Sequence, residues 1–215
     1  MMNLSDIELF AVAAVVAAVW MCGVTTITRL LWGLAMQTTM IAVIAALHGI
    51  EIQSFKYLIF AGVLLIIKAV ATPVFLAWIA NKIEVKRDKG TGLNPALTLF
   101  AGCGALALGY FIAPKIVQSQ SGTAGGAGMA IALILIGMIF MLTKKLAISQ
   151  VIGFLVLENG ITLYALTQTH GMPLMVEMGI IFDVLVGVML AGLVMFRLNR
   201  SFEHIDVTKF RRLRY

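Results

Sequence analysis

Residues 153–164 read "GFLVLENGITLY", an apolar run with a glutamate, an asparagine and a glycine set into it. The hydrophobic stretch around it extends over about 147–169, close to the ~20 residues a helix needs to cross a bilayer. Six more stretches of that kind lie at about 7–28, 30–49, 55–80, 95–113, 126–143 and 172–196. Of the 215 residues, 61% are hydrophobic and only 12% are charged, whereas a soluble domain carries about a quarter charged residues. A soluble core cannot hide that much apolar surface in a chain of this size. The sequence therefore predicts an all-α polytopic membrane protein with about seven transmembrane helices. The first span is not read as a cleavable signal, because no basic segment precedes it, Asp6 and Glu8 stand at its start, and it is too long for a signal core.

Basic residues orient the spans. Arg29, Lys82, Lys86, Arg87, Lys89, Lys144, Lys145, Arg197, Arg200, Lys209, Arg211, Arg212 and Arg214 fall on one side, and only Lys56 and Lys115 fall in loops on the other. By the positive-inside rule the N-terminus is expected outside and the C-terminus in the cytoplasm, which implies a multi-pass protein of the cytoplasmic membrane. The net charge of +6 follows from this bias and is no sign of nucleic-acid binding.

One basic residue, Lys68, is left over, at the middle of the third span in "LLIIKAVATPVF". Glu158 lies at the middle of the sixth span and Asp183 at the middle of the seventh. Glu158 is thirteen residues before Gly171, at the turn between those spans, and Asp183 twelve after it. At ~1.5 Å per residue both acids sit ~18–20 Å below the turn, at one level near the bilayer centre. A charge there costs at least ~2.5–3.5 kcal/mol facing lipid, so the three are expected to face one another, a partner subunit or water. A carboxylate held between desolvation and a nearby ammonium can take up and release protons near neutral pH, as a relay requires. Glu158, Asp183 and Lys68 are therefore the candidate relay residues.

Supporting candidates follow from helical period. Gln150, Thr162 and Thr169 share the Glu158 face, and Tyr57 and Thr72 share the Lys68 face. Gln37, with Thr38 and Thr39, adds polar groups at mid-depth in the second span. Glu177 stands about one turn inside the seventh span, within reach of the interface. Pro73 and Gly160 are expected to break the backbone ladder beside the charges and admit water. Gly179 and Gly187 flank Asp183 in a small-residue stripe suited to close helix approach. The same charges also fit a structural ion pair that only locks helices together.

Other features read as structural. Cys22 and Cys103 are lone cysteines in apolar helices, with no metal spacing and no assigned disulfide. His48 and His170 mark span ends and suggest no metal site. "SGTAGGAG" (121–128) lacks the ending of a phosphate loop, and "GCGALALG" (102–109) lies inside a helix with no strand before it. No nucleophile–base pair suggests an enzyme, so the chain itself reads as non-catalytic.

Short motifs carry a resemblance. Basic "TKKL" (143–146), then "GFLVLENG" (153–160), then a helix with a central acid resemble the small three-helix subunit of respiratory complex I, subunit K in bacteria, and its counterpart C in multisubunit antiporters. That family places an essential glutamate in each of its last two helices; Glu158 occupies the first position and Asp183, an aspartate, the second. "KAVATP", "VEMGIIFD" and "HIDVTKF", with "GFLVLENG", extend the resemblance over the whole chain to the hydrogenase-4 component E family. It implies a membrane subunit of a group 4 energy-conserving hydrogenase or formate hydrogenlyase complex. Partners would be antiporter-like membrane subunits, a complex I-like membrane anchor subunit that handles no quinone, and cytoplasmic hydrogenase subunits. The nickel–iron site and iron–sulfur clusters would belong to those partners, with no cofactor and no metal bound by this chain. The expected organisation is an N-terminal three-helix unit (1–93), a linking fourth helix and loop (94–125), a subunit K-like unit (126–198) and a basic cytoplasmic tail (199–215). Two alternatives stand beside it: a scaffold with no ion path of its own, and a subunit of a sodium/proton antiporter without hydrogenase.

Overall fold

The computed structural model describes residues 4–83, 86–88, 94–117 and 124–168. The helices are α1 (Leu4–Cys22), α2 (Ile27–Glu51), α3 (Phe55–Val63), a π-helical segment (Leu64–Ala71), α4 (Thr72–Lys82), α5 (Pro95–Ile116), α6 (Ala124–Thr143) and α7 (Ala147–Gln168). α3, the π-segment and α4 form one continuous rod over Phe55–Lys82. Among the described residues five rods are long and apolar enough to cross a membrane, and the apolar part of α1, Ile7–Cys22, is shorter. No strand occurs among the described residues. The chain is a helical membrane protein; its expected seventh span, 172–196, lies outside the described residues.

Five of the expected spans match helices to within a few residues. The first does not: α1 stops at Cys22 rather than near residue 28, and α2 begins at Ile27. Gly23 and Val24 close the helix with bonds to the carbonyls three residues back, Trp20 and Met21. Thr26 is extended and pairs with Arg87 as an isolated antiparallel bridge. The break is thus fixed by a distant segment, which hydropathy does not register.

α7 is the least hydrophobic of the five rods and yet the most enclosed. It packs against α6 and α2, and α1 packs against α2, α5 and α6. The rod Phe55–Lys82 packs on α2 and, with α5, presents the broadest apolar surface outward. Polar groups thus collect inside and apolar groups outside, as lipid requires. Lys82 over the Trp78 ring and Lys115 over the Phe111 ring, at 4.9 and 4.3 Å, are cation–π pairs in the last turns of their helices.

α6 and α7 meet through glycines. A methyl group placed on Gly137 would lie 2.5 Å from the Leu157 nitrogen, and one on Gly160 would lie 2.8 Å from the Ile134 nitrogen. Gly160 was expected to break its helix; instead α7 is continuous through it, and the missing side chain lets two backbones touch. Gly62 and Gly104 are the counter-case, because a methyl group there would meet nothing within 4 Å. Gly62→Ala and Gly104→Ala are each expected to stabilise the protein by about 0.5–1 kcal/mol through helix propensity, read as a higher melting midpoint in detergent.

Candidate functional site

Lys68 stands in the π-segment, fourteen residues before the end of α4. The widened turn has a local cause. Pro73 has no N–H to donate and its ring would clash with a carbonyl one α-turn back, so the helix widens just before it. Thr72 completes the arrangement: its N–H and its hydroxyl both donate to Ile67 O, five residues back, the hydroxyl at 2.9 Å. Pro73 therefore perturbs the ladder beside the charge, as expected from the sequence.

Across the bundle, Glu158 lies near the middle of α7, and Lys68 Nζ is 2.8 Å from Glu158 Oε1. Both residues are buried, at 5% and 2% relative exposure. The two helices run in opposite directions, so their mid-points meet at one level. At this separation the two side chains are in direct hydrogen-bonding contact.

Next along α7, Asn159 makes a second polar tie. Its Nδ2 donates to Thr38 Oγ1 at 2.9 Å and to Gln37 Oε1 at 3.3 Å. All three residues are buried. The mid-depth polar groups of α2 therefore engage Asn159, a residue not singled out from the sequence although it stands beside Glu158 in the quoted motif. Gln37 Nε2 is buried and has no hydrogen-bond partner among the described residues. Asn159→Ala would strand Gln37 Oε1 and Thr38 Oγ1 as well, and is expected to cost about 1–3 kcal/mol. Asn159→Ala with Gln37→Leu is expected to regain part of that loss, as measured by thermal unfolding in detergent.

The remaining candidates are not gathered round the pair. Tyr57 is eleven residues before Lys68, about 16 Å along the axis, and its ring meets His48 edge-on with centroids 5.1 Å apart. Gln150 is exposed near the start of α7, where its Nε2 donates to Lys144 O at 3.1 Å. Thr162 donates to Glu158 O at 3.0 Å, satisfying helix backbone, and Thr39 does the same to Ala35 O at 2.7 Å. Asp183, Glu177, Thr169 and His170 lie outside the described residues. Cys22 is buried and Cys103 exposed, both as free thiols. Among the described residues no group of three His, Cys, Asp or Glu side chains could hold a metal ion.

An uncharacterized protein of Mycobacterium tuberculosis, Rv0085, is 34% identical over 206 residues, which is 94% of this chain and 92% of the relative. The chain belongs to that protein's family. Hydrogenase-4 component E of Escherichia coli is a more distant relative, 22% identical over 160 residues, 74% of each chain, and the same protein of Shigella flexneri matches equally. No model of a known protein family matches, and no solved structure matches. The link to hydrogenase-4 component E is therefore a distant one, and it agrees with the enclosed polar interior of a multi-pass helical protein.

Proposed function

We propose that the chain is a membrane subunit of a hydrogenase-type, ion-translocating complex, and that Lys68 and Glu158 form part of its ion path. The observation that carries this reading is the 2.8 Å contact between two ionisable side chains buried at mid-span. Intramembrane charges are costly and mark ion pathways by default. The distant likeness to hydrogenase-4 component E supplies the class of complex.

In this reading Glu158 carries a proton, or the charge that balances a sodium ion, and Lys68 sets how readily it does so. Asp183 serves as the next carboxylate along a mid-membrane axis, with Gln37 and Glu177 as polar support. A charge arriving 8–10 Å from Glu158 interacts with its carboxylate by roughly 1.7–2.1 kcal/mol at an effective dielectric of 20. The N-terminus lies outside and the C-terminus in the cytoplasm, across the cytoplasmic membrane. Antiporter-like membrane subunits flank the chain, and the redox metal centres belong to cytoplasmic partner subunits.

The test is Glu158→Gln in the native complex, with assembly and ion translocation in sealed vesicles measured separately. The expected result is an assembled complex whose translocation falls at least about tenfold. Normal translocation would remove Glu158 from the path. Failure to assemble would favour a scaffold, a reading that the mutual satisfaction of Lys68 and Glu158 also suits. Gentle purification separates the antiporter alternative, since nickel and iron should travel with a hydrogenase-type assembly.

A further inference from the structure

Asp88 stands in a run of basic residues, between Arg87 and Lys89, and is completely buried. Its carboxylate sits where α7 begins. Leu146 N–H donates to Oδ2 at 3.0 Å and Lys145 N–H to Oδ1 at 3.4 Å. N–H groups at a helix start lack partners within the helix and carry partial positive charge, so a buried carboxylate there is held firmly. The acid is anchored in turn, because its own N–H donates to Thr25 O at 2.8 Å, and Ile27 N–H donates to Lys86 O at 3.2 Å. Lys144 closes the group: Nζ donates to Val24 O at 2.9 Å and lies over the Phe140 ring. Burial pulls the Lys144 ammonium below the ordinary lysine range, while Asp88 and Cys22 push it back up.

This knot joins two particular helices. Asp88 follows α4, the end of the rod that carries Lys68, and it holds the start of α7, which carries Glu158. That rod packs chiefly on α2, and α7 packs chiefly on α6 and α2. Side-by-side packing therefore sets the rotation and slide of one against the other only indirectly. The ion pair at mid-span joins them directly, and the Asp88 tie links the segment that follows α4 to the start of α7. Leu146 is twelve residues before Glu158, about 18 Å along a stiff helix, so a slip at the tie is carried to the pair.

We propose that Asp88 is a positioning residue for the Lys68–Glu158 contact: it fixes α7 against the Lys68 rod so that the two side chains meet. Its consequence for ion transfer rests on the function proposed above; its consequence for geometry does not.

The experiment compares Asp88→Ala, Asp88→Asn and Asp88→Glu with the wild type in the full complex in lipid. One readout is the dipolar coupling between labelled Lys68 Nζ and the Glu158 carboxyl carbon, a signature that general loss of stability would not move. It is expected to fall at least about twofold in Asp88→Ala, as the contact opens, and to recover in part in Asp88→Glu. The other is ion translocation, expected to fall in Asp88→Ala and to fall no further when Glu158→Gln is already present, since coupled sites are not additive. Should Asp88→Ala fail to insert, the isosteric Asp88→Asn, which keeps an acceptor oxygen, carries the same comparison. An unchanged coupling, or an equal effect of Asp88 substitution in both backgrounds, would overturn the proposal. If Glu158→Gln proves harmless to translocation, the function fails and the dipolar readout still decides the role of Asp88.

Discussion

Glu158→Leu alone is expected to cost about 3–5 kcal/mol of stability, and Lys68→Met alone about as much. Each change leaves one charge at mid-span without its counter-ion, and both partners are nearly inaccessible, at 5% and 2% exposure. The double change, Lys68→Met with Glu158→Leu, is expected to cost far less than either single change. It removes both charges together and fills the space with apolar groups, and buried ion pairs are often no more stabilising than well-packed hydrophobic residues. Melting midpoints of the four proteins in detergent or nanodiscs form the cycle. Strong non-additivity identifies an energetically coupled pair, and simple additivity would mean that the two side chains act separately. The comparison also bears on function. If the double variant is stable and assembled yet does not move ions, the pair was kept for transfer and not for folding.

The second large effect is expected at the α6–α7 seam. Gly137→Ala puts a methyl group 2.5 Å from Leu157 N and 2.7 Å from Gly153 O. These are backbone atoms of a helix and cannot swing aside as a long side chain can. The helices must separate, and that loosens the close packing on which association of helices in lipid depends. The expected cost is about 3 kcal/mol or more, read as a marked drop in the amount of folded protein recovered from membranes. Gly62→Ala, with open space around it, is the control that separates a steric effect from one of helix propensity.

The spans and the charges were legible in the sequence because both are matters of solvation. A run of apolar residues near bilayer length cannot be placed elsewhere, and Lys68 and Glu158 interrupt such runs at their centres. Their depth called for shelter, by one another, a partner subunit or water, and the structure puts Lys68 against Glu158. What could not be read depends on a particular neighbour. The end of α1 at Cys22 is set by the bridge between Thr26 and Arg87, 61 positions apart in the chain. Asp88 is one acid in a basic run, and nothing local says that the start of α7 lies against it. Gly160 carried the same letter whether it broke a helix or let two helices touch, and only the position of Ile134 decides. Asn159 was within reach: an amide beside a buried acid in an apolar helix must find partners, and the polar residues of α2 at the same depth were the available ones. Tyr57, Thr72, Thr162 and Gln150 show the weakness of argument from a shared face. Hydroxyls in helices satisfy nearby backbone carbonyls readily, as Thr72 and Thr162 do here, and two residues on one face can still lie several turns apart.

The central claim is that Lys68 and Glu158 meet inside the membrane. The most direct measurement is the distance from Lys68 Nζ to the Glu158 carboxyl carbon by solid-state NMR, on the labelled wild-type protein in lipid bilayers. A contact of the kind described, 2.8 Å from nitrogen to oxygen, predicts a separation of about 3.5 Å to that carbon. A separation beyond about 6 Å, too long for any direct hydrogen bond between the groups, would contradict the account.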